Sequence, residues 1–238
     1  MTAARFGRRR IVLMRHGHVD YFSDEVLRAR DHTIARLTEV GRSQAEAAGL
    51  ALADVPFDIA ISSGYPRTRE TAEIALSHSK VGAPELRHDP ALVEIKGGTL
   101  RFTSREEAAA AMHAQFASAA EPGAAMFGGE VFADAQARSV AAIEALLLGP
   151  LWRTALIVAH EGVNRLVLSW AVGAGLSAAP AFEQDTACVN VIDFDIVQGD
   201  DGAPRIARRI VKLVNATPYN WLKHGMSRTS LEAIFAAD

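Results

Sequence analysis

Short, almost wholly apolar runs alternate along the chain with longer stretches of mixed apolar and polar residues. The short runs predict buried strands, and the longer stretches predict helices that pack on a sheet. The predicted strands are 10–14, 59–61, 154–159, 188–194 and 206–214. The predicted helices are 39–53, 66–77, 104–119, 128–148 and 162–172, with a short helix near the end of the chain. This alternation predicts one α/β domain over residues 1–238, a three-layer α/β/α sandwich with a mostly parallel central sheet.

Polar residues at helix starts support several of these boundaries. Thr38 is expected to cap helix 39–53, and Ser104 with Glu107 forms a capping-box pattern at the start of helix 104–119. The last helix is expected to be capped by Thr229 and Glu232, since the same spacing occurs there. Glu130 is expected in the first turn of helix 128–148, where a negative charge favours the helix dipole.

Two segments do not fit the regular alternation. Residues 95–130 interrupt it, and we expect them to form an inserted lid over the functional site. Residues 217–224 carry aromatic and basic side chains without a core periodicity. We expect this tail to lie near the functional site or at an interface between two copies of the chain, which makes a homodimer a possible assembly.

Charge and composition exclude several classes of partner. The chain has 25 Lys and Arg residues against 28 Asp and Glu, a net charge of −3. This balance argues against nucleic acid and acidic membranes as partners, and we expect the run 8–10 of three arginines to be solvated. The longest apolar stretch, 166–176, is too short to span a bilayer. Cys188 has no second cysteine with which to form a disulfide, so we expect a buried, inert thiol and a cytoplasmic protein.

Two histidines follow apolar runs directly. His16 follows the run 11–14 with Arg15 beside it, and His160 follows the run 155–159. In open α/β sheets, ligands bind beyond the carboxyl ends of the strands. Arg67 is placed at the start of a predicted helix, where free N–H groups and the guanidinium fork both favour an anion. These residues predict a phosphoryl-binding site, with Arg69 as the alternative to Arg67.

Five blocks of the sequence, taken in order, resemble those of the histidine phosphatase superfamily (phosphoglycerate mutase-like). The first block reads I-V-L-M-R-H-G. The blocks are 11–17, 37–45, 62–72, 92–94 and 158–162. A single three-residue match would be weak evidence, whereas an ordered set over roughly residues 10–195 is specific.

The resemblance implies hydrolysis of a small phosphorylated metabolite through a phosphohistidine intermediate. His16 is then the nucleophile, and Glu94 is the acid that protonates the leaving group. Arg15, Arg67 and His160 are expected to surround the phosphoryl oxygens, with His160 also counted as catalytic. Because two guanidinium groups supply positive charge, the resemblance implies neither a metal nor another cofactor.

The sequence also departs from the family pattern. The family commonly has an acidic or amide residue, then Thr, and later Asn, at the positions of His18, Val19 and Phe22. Ser62 is expected to compensate as an additional phosphate contact, with Asp20 as an alternative. Glu161 occupies a position where glycine is common, and an unpaired carboxylate there repels a phosphate dianion. We therefore expect substrate contacts from His18 and Glu161 and a specialised substrate, such as one with positive charge near its phosphate.

Three other functions compete with hydrolysis. A mutase uses the same histidine, but residues 95–98 lack the Arg-Tyr-Gly pattern of the mutases, which favours hydrolysis. A zinc hydrolase would use a ligand set drawn from His16, His18, Asp20, His160 and Glu161, although the nearby arginines disfavour a cation. The third alternative is a degenerate binding protein that keeps the fold without catalysis.

Overall fold

A computed structural model describes residues 6–98 and 105–235. Its strands are β1 (Gly7–Arg15), β2 (Ile59–Ser62), β3 (Leu86–His88), β4 (Thr154–Ala159), β5 (Val189–Gln198) and β6 (Pro204–Ala216). Its helices are α1 (Asp24–Ala29), α2 (Glu39–Leu52), α3 (Pro66–Ser77), α4 (Arg105–Ala117), α5 (Phe132–Leu148), α6 (Glu161–Ala171) and α7 (Ser230–Phe235). No helix in these two ranges is long and apolar enough to cross a bilayer.

The six strands form one sheet in the order β3-β2-β4-β1-β5-β6. The first four of these strands are parallel to one another, and β5 and β6 form an antiparallel hairpin beside β1. Strand β1 pairs with β4 so that Arg15 lies opposite Ala159. Since both strands end at the same edge, this register brings the residues that follow them, His16 and His160, together.

Helices cover both faces of the sheet. Successive side chains of β1 point to opposite faces. Ile11 and Leu13 pack in one core with residues of α5 and α6, whereas Val12 and Met14 pack in another with residues of α2 and α3. The predicted three-layer α/β/α arrangement is confirmed.

Side chains cap two helices as expected. Thr38 Oγ1 accepts a hydrogen bond from the Gly41 N–H at 3.1 Å at the start of α2. At α7, the N–H of Glu232 donates to Thr229 Oγ1, and the N–H of Thr229 donates to the Glu232 carboxylate at 2.7 Å. Ser104 lies outside the described residues.

Two local expectations are wrong, and two elements were missed. Helix α5 begins at Phe132 rather than 128, and Glu130 precedes it in an ion pair with Arg138 at 2.6 Å. Helix α1 and strand β3 had not been predicted. Arg9 is 1% exposed rather than solvated. Its guanidinium donates to backbone carbonyls at the end of α5, where the last helical turn leaves acceptors without partners, and it lies over the Trp152 ring.

The described part of the region predicted as a lid, 95–98 and 105–130, packs on the body of the protein. Ile95, Phe116 and Met126 share a buried cluster with Phe132 of α5 and Leu166 of α6. The region therefore forms one side of the cavity described below. Its opening and closing as a lid stays a prediction.

Two glycines allow the loop after β1 to touch the start of α2. A Cβ on Gly41 would lie 2.1 Å from the carbonyl oxygen of His18, and a Cβ on Gly17 would lie 2.4 Å from that of Gly41. These two glycines therefore fix the loop that follows His16 against the start of α2.

We predict that Gly41→Ala destabilises the protein by about 1–3 kcal/mol, because backbone atoms must move to admit the methyl group. Without that clash, alanine in a helix is better than glycine by about 1 kcal/mol, so the sign of the change is diagnostic. Urea unfolding measures it, with the exposed Ser43→Ala in the same helix as control. A Gly41→Ala protein as stable as the parent contradicts the assignment.

Candidate active site

A cavity of about 490 Å³ opens beyond the carboxyl ends of β1 and β4. Its ionisable lining residues come from widely separated parts of the chain, namely Arg15, His16, Arg30, His32, Arg67, Glu94 and Glu161. This is the edge at which open α/β sheets bind ligands. The rest of the lining is mainly apolar.

His16 is buried and is fixed in one neutral tautomer. Its Nδ1 lies 2.8 Å from the Gly17 carbonyl oxygen, which can only accept, so Nδ1 carries the proton and Nε2 keeps its lone pair. Burial, together with the guanidinium groups of Arg67 and Arg15, holds the pKa of His16 well below its usual value. The Tyr21 hydroxyl lies 3.5 Å from Nε2. The side chain therefore presents an unprotonated nitrogen, as a nucleophile requires.

His160 lies beside His16, with ring centroids 5.3 Å apart. Its Nδ1 accepts from Arg67 Nη2 at 3.3 Å, and its Nε2 donates to Ser63 Oγ at 2.8 Å. Burial and Arg67 hold the pKa of His160 well below its usual value, in agreement with this neutral form. His160 thus holds Arg67 in place, and its predicted contact with phosphate stays a prediction.

Arg15 and Arg67 are both buried and both line the cavity. Arg67 Nη1 donates to the His32 carbonyl at 3.2 Å, but the Nε–H groups of Arg15 and Arg67 have no hydrogen-bond partner among the described residues. Buried polar groups are almost always paired, so these two donors indicate an anionic ligand. Arg69, the alternative, is half exposed and lies 3.5 Å from Glu73 on the surface of α3.

Glu161 is buried between two arginines instead of being free to repel a phosphate. One oxygen forms an ion pair with Arg15 at 3.0 Å, and the other accepts from Arg165 at 2.7 Å and from the Ser230 hydroxyl at 2.7 Å. Glu183 also pairs with Arg165 at 3.2 Å. Since its charge is balanced, Glu161 gives no reason to expect a positively charged substrate. The geometry supports a role in positioning Arg15.

We predict that Glu161→Gln lowers the free energy of unfolding by about 3 kcal/mol, since Arg15 and Arg165 stay buried without this shared carboxylate. Equilibrium denaturation measures the loss. Glu73→Gln, which removes an exposed partner of Arg69, is the control and is expected to change little. Equal stabilities of the two variants would show that the buried network contributes nothing.

Glu94 packs against the first turn of α6 and lines the cavity. Its carboxylate accepts from the backbone N–H of Gly162 at 3.1 Å, of Val163 at 3.3 Å and of Ile95 at 2.9 Å. Burial raises the pKa of Glu94 despite these bonds. Gly162 permits this approach, because a Cβ there would lie 2.6 Å from Glu94 Oε1. A carboxyl group held at the cavity with a raised pKa suits a proton donor.

Two predicted ligand contacts lie elsewhere. Ser62 Oγ is bonded to His88 Nδ1 at 2.8 Å and does not line the cavity, whereas the next residue, Ser63, contacts His160. His18 Nδ1 lies 2.9 Å from Thr38 Oγ1, and His18 lines a second cavity. The alternation of side chains at the end of β2 turns Ser62 and Ser63 to opposite sides.

The second cavity is also lined by Tyr219 and Asn220 of the tail. Helix α7, farther along, reaches the first cavity through Leu231, and Ser230 binds Glu161. The tail segment 217–224 therefore lies beside His18, and α7 contacts the site itself.

The proposed zinc set is not assembled. His16 and His160 are adjacent, but His18 is turned to the second cavity and Glu161 is paired with arginines. Within residues 6–98 and 105–235, no three His, Cys, Asp or Glu side chains form a group that could hold a metal ion.

Sequence reasoning missed several residues of the site. Tyr21 and His32 line the cavity, and Arg165 and Ser230 hold Glu161. An arginine four residues after Glu161 on a helix was a usable signal, since such pairs share a helix face. No pattern in the sequence points to Ser230, which lies 69 residues from its partner.

Comparisons with known proteins agree with this geometry. A probable 2-carboxy-D-arabinitol-1-phosphatase of Arabidopsis thaliana is 28% identical over 92% of this chain and 44% of its own length. A 2,3-bisphosphoglycerate-dependent phosphoglycerate mutase of Rhizobium etli is 35% identical over 42% of this chain and 47% of its own length. The matched segments thus cover less than half of the length of each of these curated relatives.

Solved structures share the fold. A mycobacterial glucosyl-3-phosphoglycerate phosphatase matches with a TM-score of 0.68 at 23% identity, over 88% of this chain and 99% of that one. A putative alpha-ribazole-5'-P phosphatase of Escherichia coli matches with a TM-score of 0.63 at 21% identity, over 88% and 97%. The family model of the histidine phosphatase superfamily (branch 1) matches residues 11–200. With four-fifths of its length under that model and with this fold, the chain belongs to the histidine phosphatase superfamily.

Proposed function

We propose that this protein hydrolyses phosphomonoesters of small metabolites through a phosphohistidine formed on His16. The observation that carries the proposal is the unprotonated Nε2 of His16 in a cavity with two buried guanidinium groups. Their Nε–H donors have no partner within residues 6–98 and 105–235. A nucleophilic nitrogen beside fixed positive charge is what phosphoryl transfer requires. The phosphatase names among the relatives support the same reaction.

The reaction has two steps. Nε2 of His16 attacks phosphorus, the P–N bond forms, the P–O bond to the alcohol breaks, and Glu94 gives its proton to the leaving oxygen. Glu94, now a carboxylate, takes a proton from water as the water oxygen attacks phosphorus and the P–N bond breaks. The products are the alcohol and inorganic phosphate, and both residues return to their starting forms. The raised pKa of Glu94 and the lowered pKa of His16 match these forms.

Arg15 and Arg67 stabilise the equatorial oxygens of the transferred group. Their positions are set by Glu161 and His160, respectively. The positive charge of two guanidinium groups supports catalysis without a metal. We include a contact between His160 and phosphate in the proposal, because the ring is adjacent to His16.

The test is a release assay for inorganic phosphate over a panel of phosphomonoesters, paired with alkaline quenching to trap phosphoprotein. Phosphate release with label on His16 supports hydrolysis. Isomerised product without phosphate release indicates a mutase, the activity named for the Rhizobium relative. Neither product nor phosphoprotein on any ester indicates a binding protein and overturns the proposal.

We extend the proposal to a cytoplasmic location. The single cysteine, Cys188, is buried, and burial raises its pKa to about 12, so its thiol resists oxidation. A thiol of this kind fits a reducing compartment. The homodimer stays a prediction.

A further inference from the structure

The described residues of segment 95–127 and of α7 contribute only apolar side chains and glycines to the cavity lining. We use the name apolar wall for the side chains that residues 95–127 and α7 contribute to the lining: Ile95, Met112, Phe116, Met126, Phe127 and Leu231. Glycines 97 and 98 supply the rest of this side among the described residues. Tyr21 and His32 also line the cavity, and both lie next to Arg67. Nothing in the reaction at phosphorus uses the apolar wall.

Phe127 is held in this wall at a conformational cost. Its backbone is left-handed, with φ 50° and ψ 40°, which bulky side chains rarely adopt. Hydrogen bonds maintain the turn: the Phe127 N–H donates to Gln115 Oε1 at 2.7 Å, and the Gly129 N–H donates to the Met126 carbonyl at 2.9 Å. Strained residues that surrounding contacts maintain are concentrated at functional sites.

Close backbone contacts restrict the same turn. A Cβ on Gly98 would lie 2.1 Å from the Phe127 carbonyl oxygen, and a Cβ on Gly129 would lie 2.3 Å from that of Lys96. Segments 96–98 and 127–129 are therefore packed backbone to backbone. This packing fixes the position at which Phe127 enters the cavity.

We infer that the apolar wall selects phosphomonoesters whose alcohol carries an apolar group of about the size of a phenyl ring, in preference to polyol phosphates. The inference rests on the proposed hydrolysis and names its substrate class. Hydroxyl groups pressed against these side chains would lose water without gaining hydrogen bonds. An apolar alcohol gains from the same burial, and methionine side chains adapt to its shape.

The experiment compares kcat/KM for 4-phenylbutyl phosphate with that for glycerol 1-phosphate, two primary alkyl esters with similar leaving groups. The wild-type protein is expected to favour the phenylbutyl ester by at least about 10-fold. Phe127→Ala is expected to lower kcat/KM for that ester by about 10-fold and to leave the glycerol ester nearly unchanged. Leu222→Ala, at a position 90% exposed, is the control and should change neither.

A second variant covers the case in which Phe127→Ala does not fold, and a binding measurement with an inhibitor covers the case in which no ester is hydrolysed. Met112→Gln keeps a similar shape but adds a polar amide, and it should reduce the preference for the phenylbutyl ester. This variant provides the test if Phe127→Ala fails to fold. Phenylbutylphosphonate should bind more tightly than glycerol phosphonate even to His16→Ala protein. Equal or reversed preference for polyol esters overturns the inference while hydrolysis stands. Absence of turnover together with selective phosphonate binding overturns the proposed function and supports the apolar selectivity.

Discussion

His16→Ala is expected to lower kcat by on the order of 10⁴-fold or more, because no other group can form the P–N bond. Nε2 of His16 holds its lone pair because the Gly17 carbonyl fixes the proton on Nδ1. His160 cannot substitute, since its Nδ1 accepts from Arg67 and its Nε2 donates to Ser63. The variant should also yield no phosphoprotein after alkaline quenching. Steady-state phosphate release and mass spectrometry of the quenched protein measure the two effects.

The matched control for this variant is His224→Ala, since His224 is exposed and lies outside the cavity lining. It is expected to keep wild-type kcat and phosphoprotein yield. Thermal unfolding of both variants separates loss of chemistry from loss of fold. Substantial activity in a folded His16→Ala protein would mean that the phosphoryl group is transferred directly to water.

Glu94→Gln is expected to lower kcat for alkyl phosphates by about 10² to 10⁴-fold, the usual contribution of a positioned acid. Glutamine keeps the shape of the side chain, and its amide oxygen can accept from Val163 and Ile95, but its NH2 group faces the Gly162 N–H and has no proton to give to an alkoxide. The loss should be much smaller for p-nitrophenyl phosphate, because nitrophenolate leaves without a proton. Measuring both esters with the exposed Glu85→Gln as control isolates the proton transfer. An equal loss on both esters would assign Glu94 to a structural role.

The pH profile tests the same pair of residues. Attack needs neutral His16, so activity falls as the pH drops through the lowered pKa of that imidazole. Protonation of the leaving group needs the acid form of Glu94, so activity falls as the pH rises through the raised pKa of that carboxyl. We therefore expect kcat/KM to be highest on the acidic side of neutrality. The alkaline fall should disappear in Glu94→Gln, whereas its persistence would attribute that limb to another group.

The strands were predictable because their signal is local. A run of four apolar residues, 11–14, is buried on both faces, as in a parallel sheet with helices on each side. Thr38 at the start of α2 was predictable for the same reason, since its hydroxyl binds an N–H only three residues away. Strand β3 escaped prediction because its three residues form a strand only by pairing with β2.

The grouping of His16, Arg67, Glu94 and His160 was predictable, since ordered blocks contain these residues and the structure brings them together. Their surroundings were not. The predicted contact of Glu161 with substrate stays a prediction, but its ion pairs with Arg15 and Arg165 were not foreseen, because only the folded chain brings buried positive charge to both of its oxygens.

Residue types and short spacings thus specified the layered fold and the two histidines at neighbouring strand ends, and they predicted the phosphoryl chemistry that we propose. Packing of distant segments specified which serine contacts His160, which arginines pair with Glu161 and which side chains form the apolar wall. Ser62 and Ser63 differ by one position, yet the end of β2 turns them to opposite sides. Phe127 and Leu231 meet at one cavity although about a hundred residues separate them. Such contacts depend on how elements are arranged in space, and local sequence patterns carry no record of that arrangement.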